Sequence, residues 1–439
     1  MAVGRWVAVD FTRGEVAHLL RRSGFGATAA EVDALAGLAS WAAVVDRVLD
    51  TSANPPDVVP AAVADRADPW YPPWVAGVHY WIDRMITTPT PIVEKMTLFW
   101  HGHFTSSVDK MYSRLVFQQV REYRSRALGD LHDLAQAMAK TPAMLIYLDN
   151  ETNVVGNPNE NFSRELMELF LLGQGRYTEA DVAAMARAWT GHGYDSATER
   201  YRFTADRHDG GSKTLFGITR NWDGPDAITE IVRGSKQPAC ARFIAAKLWT
   251  YFAGTTASGA LLDDLAVELV RSDMQIRALV RTIFMRPEFR SPAVRTGLVR
   301  GPVEWIVATM RALGLRSADV NPQWFVERCG QRLYAPPNVG GWRGNDGWVS
   351  TSTTWGRAAF ASHCQWKAND KGVFDGVGSL TPAQAAQRGF DRFGVDDPYP
   401  TTRSAIEAYV AAEQRARRSW AVDWSLVVLM MLSPDVQMA

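Results

Sequence analysis

The sequence predicts an all-α protein: a large multi-helix globular fold with a small β-hairpin-like insertion near residues 200–217. Three observations predict it. Apolar residues recur at helical spacing in run after run, helix caps stand where those runs begin, and one stretch breaks the pattern with short strand-like segments. At 439 residues the chain can bury a large core, and it reads as one domain-length unit over 1–439 with 191–225 as an insertion.

In order, Glu15 to Arg22 forms a helix with Val16, Leu19 and Leu20 on one side, stopped by Gly24-Phe25-Gly26. Thr28 with Glu31 makes a capping box for a second helix, and Ser40 to Leu49 is a third. Thr51 to Asp68, rich in Pro, Ala and Asp without periodicity, reads as a surface loop. From Trp70 the pattern turns densely helical, with Pro91 at a first helical position and the helix running through Glu94 to Trp100. Val108 to Leu128 is a long amphipathic helix, its Arg121, Arg124 and Arg126 suiting the dipole near its C-terminal end. Leu131 to Ala139 and Pro142 to Leu148 follow, then Asn159 to Leu172 and Thr178 to Trp189 as a pair around Gly173-Gln174-Gly175.

Gly191 to Pro225 departs from this, with strands at Tyr201–Thr204 and Thr214–Gly217 around a His-Asp-Gly-Gly turn. Helices resume at Ala227–Arg233, Pro238–Phe252, Leu261–Arg271, Ile276–Met285 and Val303–Leu313. Gly330 to Thr354 is irregular, and Pro382–Arg388 and Ser404–Leu432 close the chain.

Lys+Arg and Asp+Glu balance at 47 each, which gives no phosphate-binding face and argues against nucleic acid as a partner. Cys240, Cys329 and Cys364 are scattered, so neither a disulfide framework nor a structural zinc module is expected. The segment Met1 to Phe11 is too short and polar for a signal peptide, and no apolar run reaches membrane-spanning length. The chain as given therefore reads as cytoplasmic.

Three pieces could carry chemistry. Glu94 and His101 are seven apart and share a helix face, while an end to the helix at Gly102 would put His101 and His103 on one side of an extended segment. Two imidazoles and a carboxylate suit zinc, iron or manganese. The alternative is that Trp100 and Phe104 pack the core and the histidines merely hydrogen-bond backbone carbonyls. In the second piece, at about 100° per residue, Glu160, Arg164, Glu165 and Glu168 gather on one helix side. Glu165 and Glu168 then bind a cation together or force one pKa upward, unless the face is merely solvated. In the third, His208-Asp209 at the tip of the insertion supplies a ligand or a base, against the reading of Asp209 as an ordinary Asp-Gly turn residue. Gly210 to Thr214 ends like a phosphate loop but lacks its spacing.

Taken together these residues resemble a bacterial family catalogued as domain of unknown function 1800. The resemblance rests on His18–Gly26, Glu94–Phe104, Asn159–Asp181, His208-Asp209 with Lys213, Ala241–Trp249 and Pro336–Trp342. It covers nearly the whole chain. Two departures stand out: His192 follows Thr190-Gly191 where the family often has Trp, and Phe170 stands where many members carry a histidine. Family members are often encoded beside secreted partners, which implies a protein partner or export.

The expectation is a metal-dependent enzyme, hydrolase or oxidoreductase, acting on a small-molecule or peptide substrate. Its divalent metal would be held by His101, His103, Glu94 and Glu165, with Glu165, Glu168, His208 and Asp209 as catalytic groups. Haem is a weaker cofactor alternative. The rival function is a non-catalytic scaffold whose tryptophans form a partner surface.

Overall fold

The computed structural model describes residues 10–64 and 71–439. It is 63% helical, and its strands form two separate two-stranded antiparallel sheets. No helix among the described residues is long and apolar enough to cross a membrane. Residues 1–9, on which most of the N-terminal signal reading rests, and Trp70, where the dense helical pattern begins, lie outside the described residues.

Local chemistry explains most boundaries. Thr12 with Glu15, Thr28 with Glu31 and Thr178 with Asp181 close reciprocal capping boxes, which satisfy amide groups that the first turn cannot. Pro91 occupies the first turn of its helix, where a missing amide costs nothing.

Several boundaries differ from expectation. The amphipathic helix starts at Ser113 rather than Val108; Val108 instead donates to the Tyr334 carbonyl at 3.0 Å, and Tyr112 sits at the N-cap with non-helical dihedrals. Within the expected 51–68 loop, Ala61–Ala64 is a short helix, and 65–68 fall outside the described residues. The closing stretch is two helices, Pro400–Arg415 and Ser419–Leu432, broken at Arg417, whose φ is +56°. The helix from Asn161 runs as α only to Glu165 and continues over Leu166–Leu171 as a π-helix, whose bonds reach one residue further. The insertion holds two hairpins instead of one. β1 (His192–Asp195) pairs with β2 (Arg200–Phe203), and β3 (Lys213–Leu215) pairs with β4 (Ile218–Arg220). The two strands expected to face each other thus pair with different neighbours. Phe216 and Gly217, at φ +52° and +81°, form the two-residue turn that closes β3 onto β4.

Packing falls into two apolar clusters. One gathers Val16, Trp41, Trp100, Phe170, Trp189 and Leu248; the other gathers Trp74, Trp81, Phe117, Trp305, Phe360 and Met430. The helix Pro91–His103 is shared: Ile92, Met96 and Trp100 belong to the first cluster and Leu98 to the second. That seam position buries nearly every side chain of the helix, polar ones included.

Candidate functional site

The helix from Pro91 does not stop at Gly102; it runs through His103. At about 100° per residue, residues two apart point to nearly opposite sides, and the two imidazoles part company. His101 is fully buried, and its Nε2 accepts from the Tyr334 amide at 3.0 Å. Its proton therefore sits on Nδ1, which has no hydrogen-bond partner. Burial pushes its pKa down to about 3. On the other side His103 donates from Nε2 to the Phe170 carbonyl at 2.8 Å. Its pKa is also pushed down to about 3, by burial first and then by the nearby Lys247 ammonium. His103 holds a backbone carbonyl and His101 a backbone amide, where the alternative reading had carbonyls for both, while Trp100 stacks on Phe104 in the core.

Glu94 lies elsewhere in function. Wholly buried, it accepts from Trp81 Nε1 at 2.9 Å, from Arg84 Nε and from Arg124 Nε at 2.9 Å. Two guanidinium groups and an indole occupy its carboxylate, so it closes a charge network between helices. Glu165 and Glu168 come close enough to interact at the α/π junction. Burial, then the Glu168 carboxylate, raises the Glu165 pKa. Glu168 is lowered by hydrogen bonds from Gln174 and Tyr177, each 2.7 Å long. Arg164 bridges Glu160 and Glu179 in the open.

Among the described residues, two groups of three offer ligand atoms within 4.8 Å of one another. One, Asp130, His132 and Asp133, is committed locally: Asp130 caps its helix and pairs with Arg233, and His132 bonds Thr229. The other is His192, His208 and Asp223. Glu94, His101, His103 and Glu165 belong to neither, so the four-residue metal centre drawn from the sequence is not assembled. The reason is geometric: the helix continues where an extended segment was expected, and Arg84 and Arg124 already fill Glu94.

The insertion builds the His192 cluster. Gly191, at φ +75°, turns the chain from the Trp189 helix into β1, and a Cβ there would lie 2.7 Å from the Thr204 carbonyl, so only glycine fits. His192 then opens β1 opposite Phe203, its ring buried between Trp189 and Phe203. Its Nδ1 meets the Tyr201 hydroxyl at 2.7 Å and its Nε2 meets Asp223 Oδ1 at 2.8 Å. Burial lowers the His192 pKa, with Asp223 opposing. His208 donates from Nδ1 to the Thr190 carbonyl at 2.8 Å, which leaves Nε2 as a bare lone pair. Asp223 caps the helix Gly224–Arg233, its Oδ1 accepting from the Gly224 amide at 2.9 Å. Its pKa ends lowered: burial pushes it up, and the His192 hydrogen bond and charge, the Gly224 amide and the His208 charge together outweigh that.

The neighbours are structural. Asp209 takes the Arg187 guanidinium at 2.6 Å and the Gly211 amide at 2.9 Å, so it locks the turn and has no free lone pair aimed at the cluster. Lys213 donates to the carbonyls of Asp209, Gly211 and Trp222 and to Asn221, tying the turn and the hairpin to the segment that leads into the helix Gly224–Arg233. Of the residues expected to carry chemistry, His208 is the one found in a ligand-like set. Sequence reading marked His192 only as an added histidine and missed Asp223, whose Asp-Gly-Pro context reads as a helix cap.

Fold and site together define a large helical protein carrying a hairpin insertion with a two-histidine, one-carboxylate cluster. The chain belongs to the family described as "Protein of unknown function (DUF1800)", whose model matches residues 18–438. Neither curated proteins nor solved structures provide a match.

Proposed function

We propose that this protein is a metal-dependent enzyme whose divalent transition metal is held by His192, His208 and Asp223. The observation that carries the reading is the set of ligand atoms within 4.8 Å, backed by anchors on the far ring nitrogens. Ligand histidines characteristically have the other nitrogen held by a carbonyl, carboxylate or hydroxyl, which fixes ring and tautomer. Here the Thr190 carbonyl and the Tyr201 hydroxyl do so. Two imidazoles and one carboxylate suit iron, zinc or manganese, and three protein ligands leave open positions. A metal in such a set supplies Lewis acidity to a coordinated water or substrate oxygen. Tyr201 positions His192, and Asp223 brings the negative charge that favours a dication. The histidine network around His101 and His103 favours no haem, since each Nε2 is taken by backbone.

Elemental analysis of protein purified without chelators tests this. One equivalent of transition metal is expected in the wild type. His208→Ala and Asp223→Ala lose most of it with the helical circular dichroism intact, because a chain this long draws its stability from its core. His103→Ala and Glu165→Ala keep it. Wild-type protein that carries no metal and takes up no added zinc overturns the proposal.

A further inference from the structure

A second cavity, remote in sequence from the insertion, has a different character. A cleft of about 580 Å³ opens between the helices Pro91–His103 and Gln237–Ala253 and the loop carrying Trp342 and Trp348. This is the size of a pocket for a small organic molecule. The loop can approach because of Gly341, at φ +78°, where a Cβ would sit 2.1 Å from the Gly102 carbonyl. Aromatic and aliphatic side chains make most of its wall, with Phe99, Phe243, Tyr251 and Trp342 supplying flat faces.

Polar groups in the cleft are unevenly matched. Glu304, on its wall, is paired with the buried Lys95. Behind it Arg22 and Arg300 are fully enclosed and sense the Glu304 charge. Arg22 Nε and Nη1 and Arg300 Nη2 have no hydrogen-bond partner. Three buried cations thus share one carboxylate, and buried charge without compensation is costly. Lys247 adds another cation, exposed on the cleft wall, its ammonium 5.3 Å from the Phe243 ring centroid; among the described residues it forms no ion pair, and Asp346 on the same wall faces Arg343. His103, neutral, turns its Nε2–H away to Phe170 and lines the same cleft.

We infer that this cleft binds a small organic carboxylate with a flat apolar body, its charge on Lys247 and its body between Trp342 and Phe243. One free ammonium suits a monoanion, whereas a phosphate dianion calls for a larger set of donors. Lys247 and Trp342 are the binding residues. His103 is no general base here, because a pKa of about 3 is far from the operating range such a base needs. The inference does not rest on the metal reading.

Isothermal titration of the full-length protein with 2-naphthoate, and with 2-naphthalenemethanol as an uncharged partner of the same shape, tests it. The naphthoate is expected to bind about tenfold more tightly than the alcohol, as one charge-assisted hydrogen bond supplies. Lys247→Met erases that gap and Lys247→Arg keeps it, while Trp342→Ala weakens both compounds. Lys247 faces solvent, so its replacement leaves the fold intact, which circular dichroism checks. Equal affinity for the two compounds, no binding of either, or a gap that survives in Lys247→Met overturns the inference. Metal content plays no part in these readouts.

Discussion

The chain carries histidines in two settings, and the contrast between them is instructive. His101 and His103 sit on a regular helix at the seam of two cores; His192 and His208 sit on irregular backbone in the insertion. In the helix, regular geometry sends the two rings apart and burial strips them of water. His101 Nε2 and His103 Nε2 are each tied to backbone, and His101 Nδ1 is sealed in. In the insertion, the turn at Gly191 and the short 3-10 segment before His208 bring residues 16 apart in sequence to facing positions, with Asp223 from a third element. Local spacing decides little; what decides is whether the fold brings ring nitrogens and a carboxylate together, as it does at His192, His208 and Asp223.

The largest expected effect that would break this contrast is at Glu94. Its removal strands Arg84 and Arg124 in the core, and breaking a buried ionic network costs about 3–5 kcal/mol. Glu94→Ala should lower the urea midpoint accordingly while leaving metal content at wild-type level. A stable variant that loses metal would return Glu94 to the metal centre.

Gly191→Ala comes next. A side chain at φ +75° and in contact with the Thr204 carbonyl costs about 1–3 kcal/mol. Because Gly191 hinges His192 against the His208 segment, metal content should fall more sharply than stability. Unchanged metal uptake in this variant would show that the insertion does not set the site.

Acid sharpens the contrast further. In the unfolded chain the two helix histidines titrate near the usual value of about 6.5. In the fold they stay neutral down to about 3. The folded state therefore binds fewer protons, so their contribution is complete above about 6.5 and is lost progressively as pH falls from there toward 3. Each histidine costs about 1.4 kcal/mol of stability per pH unit in that window. Urea midpoints at pH 7 and pH 5.5 should show this, and His101→Gln with His103→Asn should flatten the dependence. An equally steep decline in the double variant would assign it to other groups.

How much was legible in the sequence follows from the same physics. A cap or a regular apolar stripe made helices readable directly: Ala29–Ala36 by its Thr28–Glu31 capping box, and Gln237–Ala253 by Pro238 in its first turn and a buried stripe through Ala241, Ile244, Leu248 and Phe252. The 20-residue helix Thr351–Asp370 could not be read so, although Ser350 caps it. Its Thr, Ser and Gly residues are poor helix formers, and its buried stripe is made of small residues, Gly356, Ala361, Cys364 and Ala368, around Phe360, while the larger Trp355 and Trp366 are exposed on the other side. The insertion was legible as a break but not in its pairing, because β1 and β4 are too short to show alternation. Within the candidate site, His208 could be named from its turn. Asp223 could not, since capping a helix and facing two histidines use the same side chain. Glu94 was misjudged because the arginines that occupy it come from other helices, at positions that no local pattern connects.

The central claim, that the insertion rather than the helix holds metal, is tested most directly by anomalous scattering from zinc-soaked crystals. The account predicts one strong peak about 2.0–2.2 Å from a nitrogen of His192, a nitrogen of His208 and an oxygen of Asp223. A peak beside His103 or Glu165, or no peak at the insertion, would contradict it.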